Sequence, residues 1–165
     1  MENKDELLKK INTNDPEAVE EAIREIKETG DSTIIVPLLD ILSSRPDTFV
    51  ISGIVGLLAD VRENSFRDVL LERIRQEKDP HVKAILLRIA WESSLDYSGH
   101  LDLFTDILLN DEFVAAFEAS TLIENFVHNL TEEQHHRLHA FFEQIPADKQ
   151  FLIQNIITEM ENGEE

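Results

Sequence analysis

Apolar residues return at intervals of three and four in one segment after another, the spacing of a helix face rather than the alternation of a strand. In DPEAVEEAIREI, from Asp15, they are Val19, Ala22, Ile23 and Ile26; in RPDTFVISGIVGL, from Arg45, Val50, Gly53, Ile54 and Leu57 hold the same places. In DPHVKAILLRIA, from Asp79, they are Val82, Ile85, Leu86 and Ile89, and DEFVAAFEASTL follows from Asp111. These four starts lie 30, 34 and 32 residues apart, and PADKQFLIQNII, from Pro146, comes at a similar interval. An acidic or proline-containing turn leads into each. Pro16, Pro46 and Pro80 suit a first helical turn, where the missing N–H has no partner to lose.

Between these helices the pattern predicts second ones: STIIVPLLDILSS (32–44), SFRDVLLERIRQE (65–77), SGHLDLFTDILLN (98–110) and TEEQHHRLHAFFEQI (131–145). Each opens on a Ser or Thr able to accept a backbone N–H bond as a cap, and Gln134 three residues after Thr131 completes a capping box. With an opening helix at about 3–12 and a closing one at about 147–161, the expectation is an all-α chain of about ten helices. No segment alternates well enough to be a strand.

Self-similarity at a period near 32 implies that each helix pair buries its apolar face against the next. Paired helices with an Asp-Pro turn into the first and a Leu-rich second resemble HEAT-like, armadillo-type repeats over about Asp15 to Ile145. The resemblance implies a short right-handed α-solenoid of four to five helix pairs, its second helices lining the concave face. The expected organisation is one domain, 1–165, with repeats at about 15–44, 46–78, 79–110 and 111–145 between polar capping helices. The basic residue that often follows the Asp-x-x-Val turn of such repeats appears only as Lys83. Glu20, Ile51 and Ala115 stand at the corresponding places, so no regular ladder of hydrogen bonds between repeats is expected.

Length and charge narrow the function. A domain of 165 residues buries roughly 70% of its unfolded surface and needs no staples. The absence of cysteine removes disulfides, thiolate metal sites and thiol nucleophiles. MENKDELLKK has no apolar signal region, and the longest apolar run, FVISGIVGLLA, falls short of the ~20 residues that span a bilayer, so a cytoplasmic protein without membrane partners is expected. A net charge of −19 opposes binding to nucleic acid, whose affinity comes from cations displacing counterions. The charge is uneven. From residue 89 onward sixteen acids face only Arg137 and Lys149, whereas residues 62–88 carry seven basic residues and five acids. Pairs such as Glu72 with Arg75, and Arg73 with Glu77, have helical spacing and account for that basic stretch as local neutralisation.

Two enzyme precedents on HEAT-like scaffolds fail on residues. Paired His-Glu dipeptides that hold two irons are absent, since Val82, Leu101, Asn129, His136, Arg137 and Ala140 follow the six histidines. The basic groove of the HEAT-like DNA glycosylases has no counterpart in second helices that carry mostly carboxylates. A zinc-protease reading of His135 and His139 lacks its general base, because His136 stands where the glutamate is required. No catalytic constellation emerges, and no cofactor is expected.

On the last of the second helices, Leu138, Phe141, Phe142 and Ile145 form the apolar stripe, with Glu132, His135 and His139 on a strip beside it and His136 nearly opposite the core. Glu132, His135 and His139 are the candidate metal ligands, although ligands from a single element with no supporting partners argue for ordinary helix surface. The same imidazoles, with His128, are expected to gain charge on mild acidification. Gly53 and Gly56 predict close approach by another helix, and Trp91 predicts a core ring with its N–H paired. The expected function is protein–protein interaction without catalysis, and the alternative is a metal-binding or accessory enzymatic role centred on Glu132, His135 and His139. A partner of basic or mixed charge is received by Asp40, Asp68, Glu72, Asp102, Asp106, Glu132, His136 and Glu143 on the second helices.

Overall fold

A computed structural model describes residues 2–44 and 46–163; Arg45, which opens the second repeated segment, and the terminal residues lie outside them. Among the described residues the chain forms ten α-helices and four short 3-10 segments, with no strand. It divides into two compact units, Met1–Val61 and Arg62–Glu165.

In the first unit α1 (Lys4–Ile11) is started by a capping box between Asn3 and Glu6. Asp15 caps α2 (Pro16–Thr29), with Pro16 in its first turn, and Gly30 ends it at φ 64°, a left-handed conformation that glycine adopts without Cβ strain. Asp31, rather than the expected Ser32, caps the following 3-10 turn (Ser32–Ile34): its Oδ1 accepts from the Thr33 N–H at 2.9 Å and the Thr33 hydroxyl at 2.7 Å. Helix α3 (Ile35–Ser43) continues from that turn, and α4 (Thr48–Ala59) begins only after Asp47, which leaves Pro46 outside the first helical turn where it was expected. Helix α1 packs on α2, α2 on α4 and α3 on α4 around Ile11, Ala22, Leu38, Leu42 and Ile54, all fully buried. Gly53 faces α2, where a Cβ would lie 3.4 Å from Ile23 Cγ1, in ordinary contact with that side chain and with room for nothing larger to extend the same way. Gly56 does not share that role, since nothing lies within 4 Å of its missing side chain.

The second unit contains α5 (Asn64–Gln76), α6 (Pro80–Glu92), α7 (Leu101–Asn110), α8 (Phe113–Phe126), α9 (Glu132–Phe142) and α10 (Gln154–Asn162). Helix α8 packs against α6, α7 and α10, while α5 lies on α6 and α7 beside α9. Alanines 115, 116 and 119 on α8 are fully buried and let neighbouring backbones approach. Phe104 sits between Tyr97 and Phe126, with ring centroids 6.4 and 5.9 Å away. Of the four Ser/Thr caps expected, Thr131 alone forms: its box with Gln134 starts α9. Helix α5 begins one residue before Ser65, and Ser98 opens a 3-10 turn (Ser98–His100) ahead of α7. The closing segment is also divided, a 3-10 stretch (Ala147–Ile153) preceding α10 where one helix was expected.

The sequence period reappears in the contacts of this unit. Lys83 Nζ meets Asp111 Oδ2 at 2.6 Å, with only 16% and 24% of the two side chains exposed. Arg67 donates to the Asp96 carbonyl, the Trp91 indole to Glu118, the Asn125 amide to the Trp91 carbonyl, Gln134 to the Ser98 carbonyl and Arg137 to Asp102. These ties join residues 27 to 36 positions apart, about one repeat. Their chemistry differs from joint to joint, as Lys83 having no equivalents led one to expect.

Candidate functional site

Every proposed partner-binding position lies on a second helix and is exposed: Asp40 on α3, Asp68 and Glu72 on α5, Asp102 and Asp106 on α7, Glu132 and His136 on α9, with Glu143 just past its end. Asp40 belongs to the first unit and the other seven to the second. On α5, α7 and α9 the positions recur in i, i+4 pairs, so one face of each helix presents two side chains a turn apart. Arg137 on α9 reaches both carboxylate oxygens of Asp102 on α7, at 3.1 and 3.2 Å, an exposed bridge between the two helices. Gln76 donates to Glu72 at 2.6 Å and Asn110 to Asp106 at 2.8 Å, each from one turn below, which orients the carboxylates; Glu72 also has the Arg75 guanidinium 3.8 Å away, which offsets part of its charge.

Between α5 and α7 the face changes character. Burial, followed by the charges of Arg75 and Arg67, holds His100 below the ordinary imidazole range, against the pull of Asp68 and Asp96. A mostly neutral His100 and two guanidiniums thus interrupt the carboxylates. Its position in the turn before α7 carries no periodic signal, so the sequence did not point to it.

Four of the six histidines line one cleft of about 420 Å³. His135, His136 and His139 line it from α9 together with Glu132, and His128 joins them from the 3-10 turn before that helix. His136, placed by the helix period away from the core, therefore also faces the cleft. Met160 and Gly163 form the opposite side. Glu159 on α10 bonds His128 Nε2 at 3.0 Å, and Gly163 crosses so near that ring that a Cβ there would stand 3.0 Å from Nδ1. His139 rests edge-on against Phe142, centroids 5.9 Å apart. Two of the four imidazoles are thus occupied with neighbours rather than converging. Among the described residues no group of three or more histidine and carboxylate side chains is placed to hold a metal ion, so Glu132, His135 and His139 share a wall without forming a ligand set.

A smaller recess of about 190 Å³ opens beside Trp91, Tyr97, Asn125 and Asn129. Trp91 is half-buried, and its N–H donates to Glu118 Oε2 at 2.6 Å. Burial raises the Glu118 carboxyl above its ordinary value, against the Trp91 bond and the Arg88 charge. Burial likewise pushes the Tyr97 phenol up to about 12. The ring anchors the start of α7.

No helix among the described residues is long and apolar enough to cross a membrane. No protein-family model, curated protein or solved structure matches the chain.

Proposed function

We propose that this protein is a non-enzymatic binding module of HEAT-like, right-handed solenoid type, which receives a basic or mixed-charge segment of a partner protein along its second helices. The observation that carries this reading is the succession of exposed i, i+4 pairs on α5, α7 and α9, with Arg137 of α9 bridging to Asp102 of α7. A row of oriented carboxylates on rigid helices is already ordered before a partner arrives, so little side-chain entropy is lost on binding. Charge of one sign also steers an oppositely charged segment and weakens with salt. Asp68, Glu72, Asp102, Asp106, Glu132, His136 and Glu143, all in the second unit, would form the contact.

Affinity capture of partners at low and at high salt tests the proposal. The expected outcome is a basic partner whose affinity falls about tenfold or more when Asp106 and Glu132 are replaced by Asn and Gln. Recovery of partners insensitive both to salt and to these replacements would refute it.

A further inference from the structure

Four large apolar side chains are notably exposed among the described residues, and three of them form one cluster, Phe113 on α8 lying against both Phe117 on the same helix and Phe151 on the 3-10 segment after α9. Their exposures are 52, 47 and 57%, so each ring keeps about half its surface in water. Phe113 and Phe151 stack at 5.8 Å with planes 26° apart, and Phe117 lies 6.1 Å from Phe113 at 35°. The i, i+4 spacing of Phe113 and Phe117 sets two rings in a row along α8. The third is brought in from more than thirty residues away.

What places Phe151 is Lys149. Its Nζ donates to the carbonyls of Leu108 and Leu109 at 3.1 Å and of Asp111 at 2.6 Å, where α7 ends and the chain turns into α8. Helix-end carbonyls lack intrahelical partners and carry partial negative charge, so an ammonium there is a strong tether. Two residues along the segment, Phe151 is then set over Phe113. The platform is built at fixed geometry and not by chance collapse of loose rings.

We infer that Phe113, Phe117 and Phe151 form a docking platform for a short segment of another protein in which an aromatic or aliphatic anchor is flanked by Lys or Arg. Size and charge select this occupant. At about 200 Å² per ring, three half-exposed phenylalanines offer roughly 300 Å², well under the ~800 Å² per partner that a stable dimer buries. A second copy of a chain with net charge −19 would also be repelled. The rim is acidic: Glu112 precedes Phe113 and Asp148 stands three residues before Phe151, both exposed and neither in an ion pair among the described residues. The cations close by are already engaged, Lys83 with Asp111 and Lys149 with its three carbonyls. An apolar anchor with positive flanks matches that combination, since the anchor fills the platform and its flanks meet Glu112 and Asp148. From the proposed function this takes only that the protein binds other proteins; its residues are different ones.

The test is selection from a displayed library of random peptides on the full chain. Enriched peptides are then titrated against three variants: Phe113→Ser with Phe117→Ser, Lys149→Met, and Asp102→Asn with Asp106→Asn. Circular dichroism checks that each variant is folded, and the phenylalanine changes remove rings that are not part of the core. Expected is a consensus of Leu, Phe or Trp next to Lys or Arg, with affinity reduced about tenfold or more by the double phenylalanine variant. Lys149→Met should weaken binding although every ring remains, and Lys149→Arg should restore part of it. The Asp102/Asp106 variant should bind as the wild type does. Loss of binding in that variant with retention in the phenylalanine variant overturns the inference and leaves the proposed function standing; the reverse pattern upholds the inference alone. No enriched sequence, apolar peptides without basic flanks, a dimer in sedimentation that the phenylalanine variant abolishes, or association with lipid vesicles would each overturn it.

Discussion

Glu118 and Trp91 form a pair in which one partner's hydrogen bond offsets part of the other's burial cost. The indole N–H favours the carboxylate, yet desolvation outweighs it and the carboxyl ends above its ordinary value of 4.5. A carboxyl raised by folding contributes stability that is fully present below its unfolded value and is lost as pH rises through the higher folded one. His100 works in the other direction: its depressed value means that stability present above the ordinary imidazole value of 6.5 is lost as pH falls toward the folded one. Glu118→Gln keeps an acceptor for the indole and removes the charge. Thermal unfolding at neutral pH is therefore expected to shift upward, by no more than about 1 kcal/mol for a partly exposed group screened by solvent. Trp91 is the sole tryptophan and serves as a local probe. Wild-type fluorescence should titrate with a midpoint above 4.5, and this transition should vanish in Glu118→Gln; a wild-type midpoint at or below 4.5 counts against the account. At this scale the sequence is weakest as a guide. It put His135 and His139 on one strip and set His136 apart from them, whereas all three line the same cleft, and His128 meets Glu159 across 31 residues with no local pattern to announce the pair.

Helices were legible where their apolar spacing persists over about two turns, as from Val19 to Ile26 and from Val82 to Ile89. Their ends were less so. At Asp31 a carboxylate one residue ahead of Ser32 takes the turn's N–H, and a charged acceptor next to a helix start outcompetes a hydroxyl. Ser98 enters a 3-10 turn, where the hydrogen-bonding register differs from that of a helix cap. The expected closing helix, 147–161, is 3-10 over its first half, and the Lys149 tether that holds this half in place comes from packing that periodicity does not encode. Glycine divides the same way: Gly53 meets Ile23, whereas Gly56 meets nothing and serves no packing purpose. Gly56→Ala is accordingly expected to stabilise the first unit by about 0.5–1 kcal/mol, because alanine restricts the unfolded chain and favours helix. Gly53→Leu should destabilise it by about 1–3 kcal/mol through crowding against α2. Chemical denaturation of the two variants separates them, and equal effects would show that the contact at Gly53 is not limiting.

For the molecule as a whole, the dominant quantity is its charge. At −19 the folded state concentrates repulsion that the unfolded chain spreads out, and the ion pairs recovering some of it lie mostly at the surface, where each contributes little. Added sodium chloride is therefore expected to raise Tm, with every ~1 kcal/mol of screened repulsion worth about 2–4 °C for a chain of this length. A Tm that falls with salt would mean that attractive pairs such as Lys83–Asp111 outweigh the repulsion. Composition alone made this property visible; which face the charge occupies required knowing that Asp102 and Arg137 join α7 to α9.

Arg137 and Lys149, the two basic residues after Arg88, are both committed to joints between helices, one to a neighbouring carboxylate and one to helix-end carbonyls. Trypsin consequently meets just two cleavage sites between Ile89 and Glu165, each at a residue engaged with another helix. Amine-directed labels have a single lysine to modify in that same stretch, and a label placed there removes the tether that sets Phe151 in position.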